Sequence, residues 1–193
     1  MCNLYRLEKN PDAIRRLFAD ANIPLEFPEG IPNLEPRDVR ITDRAPVVRF
    51  DATRGVAELV ERRWSWPAPG GKPVFNMRSD GRNFPRDRCL VIADGFYEFT
   101  KPADAKQKRK NCWLFRPPGG RQFAIAGLLR NSPDVGEAFT LLTVPPGYDI
   151  EPIHNRQIAL LEPDKWRSWL DGSARSLDVL APSAAGSLEV AAA

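Results

Sequence analysis

The stretch Arg88-Cys89-Leu90-Val91-Ile92-Ala93-Asp94-Gly95-Phe96-Tyr97-Glu98-Phe99 decides the fold of this chain. Its apolar run over 89–93 predicts a buried strand, and Asp94-Gly95 is a strong signal for a tight turn. The residues that follow alternate, so that Phe96 and Glu98 share one face of a second strand. The stretch therefore predicts short strands that are joined by tight turns.

The same pattern continues on both sides of this stretch. The chain has 193 residues, including 19 prolines and 13 glycines, and these break it into roughly nine short strands. Helical spacing after an Asn10-Pro11 cap predicts a helix over 11–21, and a second helix is expected over 163–170. The Trp-, Pro- and Gly-rich segment 64–73 is expected to be a surface loop. We therefore predict an α+β fold, with a mostly antiparallel, curled or barrel-like β-sheet and two or three flanking helices.

Length and composition limit the domain organisation and the class of protein. The length suits a single domain over 2–172, followed by an Ala/Ser-rich, loosely packed tail over 173–193. No apolar run approaches the ~18 residues of a membrane span, and no charged-then-apolar leader is present. Three cysteines without CxxC spacing and a single histidine argue against a disulfide framework and a zinc site. We expect a cytoplasmic protein with no metal and no cofactor, whose net charge of +3 permits nucleic-acid binding.

Cys2 is the first candidate for chemistry. The small residue after the initiator methionine favours removal of Met1, which would leave a free α-amine beside the thiol. Such an amine has a pKa near 7.8, against about 10.4 for lysine, and is therefore partly neutral at physiological pH. A 1,2-aminothiol condenses with an aldehyde to an imine, and the thiol then closes a thiazolidine ring. The alternative is that a cysteine at position 2 has no role.

Two titratable residues could assist this chemistry. His154, the one histidine, has a side chain whose ordinary pKa suits proton transfer near neutrality, although a loop histidine without a role is equally consistent. Glu98 stands in an aromatic strand, where an unpaired carboxylate is costly to bury. If its side chain points inward it needs a partner or a task, and if it points outward it is an ordinary solvated residue.

Polar and aromatic residues between 64 and 88 could contact a ligand. Asn76 and Arg78 alternate on one strand, where an amide can orient an amine or carbonyl and a guanidinium can bind a phosphate. Guanidiniums that track phosphates, together with aromatic faces that stack on bases, suit a single-stranded nucleic acid; the candidates are Arg82, Arg86, Arg88, Trp64 and Trp66. The alternative is a solvated arginine-rich loop with tryptophans in the core.

These residues belong to a series of motifs that occurs in a known order. The series is Met1-Cys2, Asn33-x-x-Pro36, Asn76-x-Arg78, Arg88-Cys89-Leu90-Val91, the segment 93–99, Ala126-Gly127-Leu128, Thr143, His154-x-Arg156 and Trp169-Leu170. In this order, from residue 2 to about residue 170, the chain resembles the SRAP family, the SOS response-associated peptidase domain.

The resemblance implies a protein that binds abasic sites in single-stranded DNA during the damage response. It would form a thiazolidine cross-link to the ring-opened sugar through Cys2 and so shield the lesion. Asn76 would orient the amine, while Glu98 and His154 would transfer protons. The residues implied to contact DNA are Pro36, which would shape the pocket, Arg78 and Arg156, which would bind phosphates, and the groove residues Arg82, Arg86 and Trp66.

The resemblance also implies weak lyase activity and autocatalytic removal of Met1. We expect a monomer that contacts no membrane and is associated with the nucleoid when it acts on DNA. The chain departs from the family pattern in three places: Asn3-Leu4 replaces Gly-Arg, no tryptophan directly precedes the Asn-x-Arg strand, and Gln157-Ile158 replaces Met-Pro.

Two other functions use the same residues. An N-terminal-cysteine amidohydrolase or self-processing thiol peptidase would use Cys2 as the nucleophile with His154 as its base. A non-catalytic reader of modified bases would need the DNA-binding residues without the covalent step.

Overall fold

Two larger β-sheets, a two-stranded β-ribbon and three α-helices make up the described part of this computed structural model, which covers residues 2–104 and 106–193. The strands are β1 (Leu4–Leu7), β2 (Leu25–Glu26), β3 (Arg37–Arg40), β4 (Arg44–Asp51), β5 (Val56–Trp64), β6 (Trp66–Pro67), β7 (Pro73–Val74), β8 (Asn76–Arg78), β9 (Arg88–Ile92), β10 (Gly95–Thr100), β11 (Asn111–Arg116), β12 (Ala124–Ser132), β13 (Gly136–Val144), β14 (Gln157–Ile158), β15 (Leu160–Leu161) and β16 (Glu189–Ala192). The helices are α1 (Pro11–Asp20), α2 (Pro163–Leu170) and α3 (Ser176–Val179), with a 3₁₀ turn over Pro118–Gly120.

Five strands of the larger sheet close into a barrel. They follow the order β13-β12-β9-β4-β5, and every neighbouring pair in that order is antiparallel. A parallel pairing of β5 with β13, in the register Ala138 to Arg63 and Phe139 to Trp64, completes the ring. The prediction of an α+β fold with a mostly antiparallel, barrel-like sheet is therefore confirmed.

The smaller sheet holds the first strand of the chain in its interior. Its order is β16-β11-β10-β1-β3, so that β1 has a partner on each side. Tyr5 lies opposite Phe96 of β10 on one side and opposite Val39 of β3 on the other. Because backbone hydrogen bonds hold β1 along both edges, Cys2, which lies two residues before it, has a defined place against β10.

The chain passes from one sheet to the other at Asp94-Gly95, so the tight turn expected there does not form a hairpin. β9 belongs to the barrel, whereas β10 pairs with β1 and β11. The Asp94 carboxylate accepts the backbone N–H groups of Glu8 at 2.6 Å and Lys9 at 3.2 Å, and it also contacts the Lys9 ammonium. A Cβ on Gly95 would lie 2.8 Å from the Phe115 carbonyl oxygen, so close approach of β11 requires glycine here.

Both helices that the sequence predicts are present. The Asn10 side chain accepts the N–H of Ala13 at 2.9 Å at the start of α1, as the cap signal indicated. Phe18 of α1 stacks on Trp166 of α2, with ring centroids 4.9 Å apart. Within the described residues, no helix is both long enough and apolar enough to cross a membrane.

The tryptophans of segment 64–73 are buried, contrary to the surface loop predicted there. Trp64 ends β5 inside the core, where its ring lies 5.2 Å from Tyr5 and is parallel to Phe139 at 6.4 Å. Trp66 pairs with Val74 in a two-stranded ribbon and is also buried. The large apolar area of these rings outweighs the turn-forming prolines and glycines around them.

The segment after Gly172 packs on the protein, unlike the loosely packed tail that the sequence predicted. The buried Arg88 guanidinium donates to the Ala174 carbonyl at 2.8 Å and the Trp169 carbonyl at 3.2 Å. At its end, β16 adds an antiparallel strand to β11, with Trp113 opposite Ala192. The segment is ordered for two reasons. The buried guanidinium of Arg88 needs hydrogen-bond acceptors, and the open edge of β11 needs a strand to pair with.

Candidate functional site

Cys2 is almost fully buried at the start of β1, at 1% exposure, and three of its groups have partners. Its carbonyl accepts a hydrogen bond from Asn76 Nδ2 at 2.7 Å. Its backbone N–H donates to the Glu98 carboxylate, and its thiol donates to the Leu4 carbonyl at 3.2 Å. The nitrogen of Cys2 is thus held against a carboxylate while the adjoining carbonyl is held by an amide.

Glu98 points inward from β10, which is the less common of the two orientations that the sequence left open. Its side chain is 1% exposed, and burial raises the pKa of Glu98 to about 7, although the N–H of Cys2 acts in the opposite direction. A carboxyl group with such a pKa is present in both protonation states at neutral pH. It can therefore accept or donate a proton beside the Cys2 nitrogen.

The Cys2 thiol is protonated at neutral pH. Burial, followed by the nearby negative charge of Glu98, raises its pKa to about 12. Since a thiolate is the nucleophilic form of cysteine, this thiol is a poor first nucleophile. In a chain that begins at Cys2, the α-amine, with an ordinary pKa near 7.8, would be the more reactive group.

Asn76 reaches Cys2 from β8, which runs parallel to β13 in the register Asn76 to Leu141 and Arg78 to Thr143. The indole N–H of Trp64 donates to the Phe75 carbonyl at 2.9 Å and so fixes the start of β8. The resemblance assigned Asn76 to the amine of Cys2, whereas the amide contacts the Cys2 carbonyl. This contact fixes the Cys2 backbone through Nδ2, while the Asn76 side-chain oxygen, an acceptor that an amine can use, makes no hydrogen bond within the described residues.

His154 lies in the loop before β14 and is half-buried. His154 Nδ1 lies 3.0 Å from both the backbone nitrogen and the carbonyl oxygen of Arg156, so the Arg156 backbone orients the ring in either tautomer. Burial, and then the positive charge of the chain's amino terminus, lower the pKa of His154. The same charge also acts to lower the pKa of Glu98, so both groups lie within electrostatic reach of the start of the chain.

Arg156 is held in an internal ion pair, unlike the exposed phosphate contact that the resemblance implied. Its guanidinium donates to the Asp80 carboxylate at 2.9 and 2.8 Å and to the Thr143 carbonyl at 2.7 Å. The pair holds the pKa of Asp80 below its usual range. A buried guanidinium requires such partners, so a phosphate would have to displace Asp80 to reach it.

Three of the predicted DNA-binding arginines, Arg78, Arg82 and Arg86, are exposed on β8 and the loop after it. Arg82 lies over the Phe84 ring, 5.1 Å from its centroid. Arg88 is different, because it is buried and bound to carbonyl groups. The exposed three therefore form a row of cations next to Asn76, and we call it the arginine row.

Trp66 is covered, at 4% exposure, with the Arg130 guanidinium 5.7 Å from its ring centroid. It lines an open groove of about 430 Å³ beside the arginine row, together with Met77, Phe84, Arg86, Leu128 and Arg130. Stacking of a base on Trp66, as the sequence suggested, would require Arg130 to move aside. No local pattern in the sequence could have identified Arg130, which reaches the groove from the distant strand β12.

Pro36 is exposed and directly precedes β3. The pairing of Leu7 with Arg37 places it at the end of β1 that is remote from Cys2. The structure therefore does not bring Pro36 to the Cys2 cluster. An open pocket of about 340 Å³ adjoins the opposite end of β1, next to Cys2, and it is lined by Asn3, Leu4, Arg40, Ile41 and Phe99. Sequence reasoning missed this pocket because its residues come from three separate strands.

The site and the fold agree with a family assignment. The family model for SRAP, "SOS response associated peptidase", matches residues 1–192, and the chain belongs to this family. Among curated proteins, the Abasic site processing protein HMCES of Gallus gallus is 28% identical over 166 residues, which are 64% of this chain and 48% of that protein. The protein of the same name from Xenopus tropicalis is 29% identical over 161 residues, covering 63% of this chain and 47% of that one. The chain spans about half the length of these relatives.

Solved structures share the fold over the whole chain. A protein from Bordetella bronchiseptica superposes with a TM-score of 0.73 at 20% identity, covering 100% of this chain and 99% of that one. A protein from Bacteroides thetaiotaomicron gives a TM-score of 0.72 at 14% identity, covering 99% and 91%. At these identities the likeness concerns the fold alone.

Proposed function

We propose that this protein processes abasic sites in single-stranded DNA by forming a covalent thiazolidine adduct through Cys2. The observation that carries the proposal is the placement of the Cys2 nitrogen on the buried Glu98 carboxylate, with Asn76 on the adjoining carbonyl. Family membership and the names of the curated relatives support the same substrate. The proposal requires removal of Met1, so that the Cys2 nitrogen becomes a free amine.

The reaction begins with attack of the Cys2 amine on the aldehyde carbon of the ring-opened sugar. The carbinolamine then loses its hydroxyl group and its one nitrogen-bound hydrogen as water, which leaves an imine. The S–H then adds across the C=N bond: sulfur bonds to carbon, the proton goes to nitrogen, and the thiazolidine ring closes. A thiol with a pKa of about 12 suits this order, because the amine reacts first and the thiol traps the imine.

Glu98 and His154 divide the proton transfers. Glu98, with its pKa raised to about 7, takes a proton from the attacking amine and returns it to the departing hydroxyl. His154, whose ring is oriented by the Arg156 backbone, donates a proton to the sugar ring oxygen as the aldehyde opens. If trapping by the thiol fails, the imine permits β-elimination of the 3′ phosphate, which would appear as weak lyase activity.

The test uses single-stranded DNA with one abasic site, denaturing gels and intact mass. Wild-type protein is expected to form a heat-stable adduct whose mass also reports removal of Met1. Cys2→Ala should abolish that adduct, whereas Cys2→Ser should leave at most an imine that borohydride can reduce. Cys112→Ala, which removes a partly exposed thiol elsewhere, is the matched control and should react like wild type. A heat-stable adduct of full yield from Cys2→Ala would contradict the proposal.

The thiol peptidase or amidohydrolase alternative fits the site less well. It needs Cys2 as a thiolate, and burial next to a carboxylate works against that form. Hydrolysis of amide substrates without DNA would nevertheless identify this activity, and DNA binding without any covalent product would identify a non-catalytic reader.

A further inference from the structure

The C-terminal segment 183–188 is bound to the loop that carries His154. Asp149, in that loop, accepts the backbone N–H of Gly186 at 2.9 Å through one carboxylate oxygen and that of Leu188 at 3.0 Å through the other. Gln157, directly after the loop, donates to the Ser183 hydroxyl at 2.9 Å. The side chains of Asp149 and Gln157 therefore join segment 183–188 to the loop that carries His154.

The loop is packed tightly against this segment. The Gln157 side-chain oxygen accepts the N–H of Gly147. A Cβ on Gly147 would lie 2.3 Å from the Ser183 carbonyl oxygen, a separation that no side chain could tolerate. Because Gly147 and Ser183 touch through their backbones, movement of one segment displaces the other.

A short series of backbone hydrogen bonds leads from this contact to the imidazole. Ile150 and Glu151 donate to the Gly147 carbonyl, each at 3.0 Å, and His154 donates to the Ile150 carbonyl at 2.9 Å. Ile150 is fully buried in the core, so the turn between Gly147 and His154 has a rigid centre. The orientation of His154 thus depends on a turn whose first residue is held by Gln157 and the C-terminal segment.

We propose that segment 183–188 is a brace that positions His154, and that Asp149 and Gln157 are the positioning residues through which it acts. The inference rests on the proposed function for its catalytic consequence, whereas its structural consequence can be measured without DNA. With the brace in place, Nδ1 of His154 stays on the backbone nitrogen and carbonyl oxygen of Arg156, which hold the ring in one orientation. With the brace released, the loop gains freedom and the imidazole loses this fixed orientation.

The experiment uses the full chain with Asp149→Ala as the test variant. His154 is the one histidine of the sequence, so the ¹⁵N spectrum of labelled protein gives an unambiguous signal for its two ring nitrogens. We expect the variant to shift both ring ¹⁵N signals from their wild-type positions, because Nδ1 loses its fixed contacts with the Arg156 backbone. The rate of adduct formation on abasic-site DNA should fall by about tenfold, the kind of loss that misplacement of a catalytic group produces.

Asp134→Ala is the matched control, because it removes an exposed aspartate from the β12–β13 turn. It should change neither readout. Imidazole signals in Asp149→Ala that match those of wild type would overturn the brace, whatever the DNA result. If wild type itself forms no adduct, the proposed function fails while the spectrum still decides about the brace.

Asp149→Asn is a second test variant, to be used if Asp149→Ala does not fold. It keeps one oxygen for Gly186 or Leu188 and should give an intermediate shift of the imidazole signals, with circular dichroism confirming the fold. An asparagine variant that is folded but has unaltered signals would also contradict the inference.

Discussion

The pKa of Glu98 is set mainly by the burial of its side chain, and much less by the residues next to it in the sequence. Glu98 lies on β10 against the start of β1, and the loss of water around it outweighs the donors that stabilise its charge. The proposed chemistry therefore uses a group that is energetically unfavourable in the folded protein when ionised. Stability and reactivity should respond in opposite directions when this carboxylate is removed.

Replacement of Glu98 should reveal how strongly its buried carboxylate destabilises the folded protein at each pH. Burial raises the pKa of Glu98 from 4.5 to about 7, so the folded protein binds more protons than the unfolded chain between these values. Stability from this group is therefore lost as pH rises through that interval. Relative to wild type, Glu98→Gln should gain up to about 3 kcal/mol between pH 4 and pH 8.

Urea unfolding of both proteins at several pH values measures this difference. Glu162→Gln, which removes an exposed carboxylate, controls for the change of one negative charge. A difference between wild type and Glu98→Gln that does not vary with pH would show that Glu98 is not destabilised by burial.

At the scale of residues, the sequence indicated which chemistry a side chain can perform, but not whether the fold buries or exposes that side chain. Cys2, Asn76 and Glu98 form one cluster in the structure; residue chemistry suggested the aminothiol reaction of Cys2, whereas the roles of Asn76 and Glu98 were implied by the family resemblance. Arg156 and Trp66 have the right chemistry for DNA, yet the fold buries both. Whether a guanidinium faces water or an aspartate is decided by residues far away in sequence, here Asp80 for Arg156.

Among the elements, β12 lies at the most crowded point of the barrel wall. Gly127 has Cys89 of β9 on one side and Leu141 of β13 on the other. A Cβ there would lie 2.9 Å from both the Cys89 sulfur and the Thr140 carbonyl oxygen. Since that oxygen belongs to the sheet backbone, it cannot move without breaking the ladder.

Gly127→Ala should therefore destabilise the protein by about 3 kcal/mol, the upper part of the range for overpacking a core. Thermal and urea unfolding measure the loss. Gly55→Ala provides the contrast: its φ of +69° strains an alanine, but nothing lies within 4 Å of the added carbon. Strain alone should cost about 1 kcal/mol, and equal losses in the two variants would rule out a steric role for Gly127.

Elements with strong local signals were predictable from the sequence, and the others were not. Pro163–Leu170 coincides with its predicted limits, because a proline at the first helical position identifies where the helix starts. β1 and β16 were missed, since four residues carry too little periodicity to recognise. Both are strands because a neighbour in the smaller sheet supplies hydrogen bonds, β10 for one and β11 for the other.

Across the whole molecule, the arginines that form ion pairs lie apart from the arginine row. One group of arginines is bound to carboxylates across the outer strands, through the pairs Arg49–Glu58, Arg49–Glu137, Arg54–Glu26, Arg62–Glu29 and Arg62–Glu137. The arginine row, by contrast, forms no ion pair within the described residues. A net charge of only +3 can therefore accompany a locally cationic surface beside the Cys2 cluster.

Binding of single-stranded DNA should consequently depend on salt through the arginine row. Each phosphate contact contributes about 0.7 to the slope of log affinity against log salt concentration. Arg86→Ala is expected to reduce the magnitude of that slope by about 0.7, as measured by fluorescence anisotropy with a labelled oligonucleotide. Arg16→Ala, an exposed arginine of α1, is the matched control and should leave the slope unchanged. Equal slopes for Arg86→Ala and wild type would remove Arg86 from the interface.

The parallel seam between β5 and β13 affects how the barrel can be assembled. These two strands are joined by a long intervening chain. Although β2 covers the second edge of β5 at Ala57 and Glu58, the part of that edge at Arg63 and Trp64 is covered only when β13 arrives. A nascent or partly unfolded chain that lacks β13 exposes that edge to other molecules. Aggregation during refolding should thus begin at β5, and conditions that slow the last step of closure should increase it.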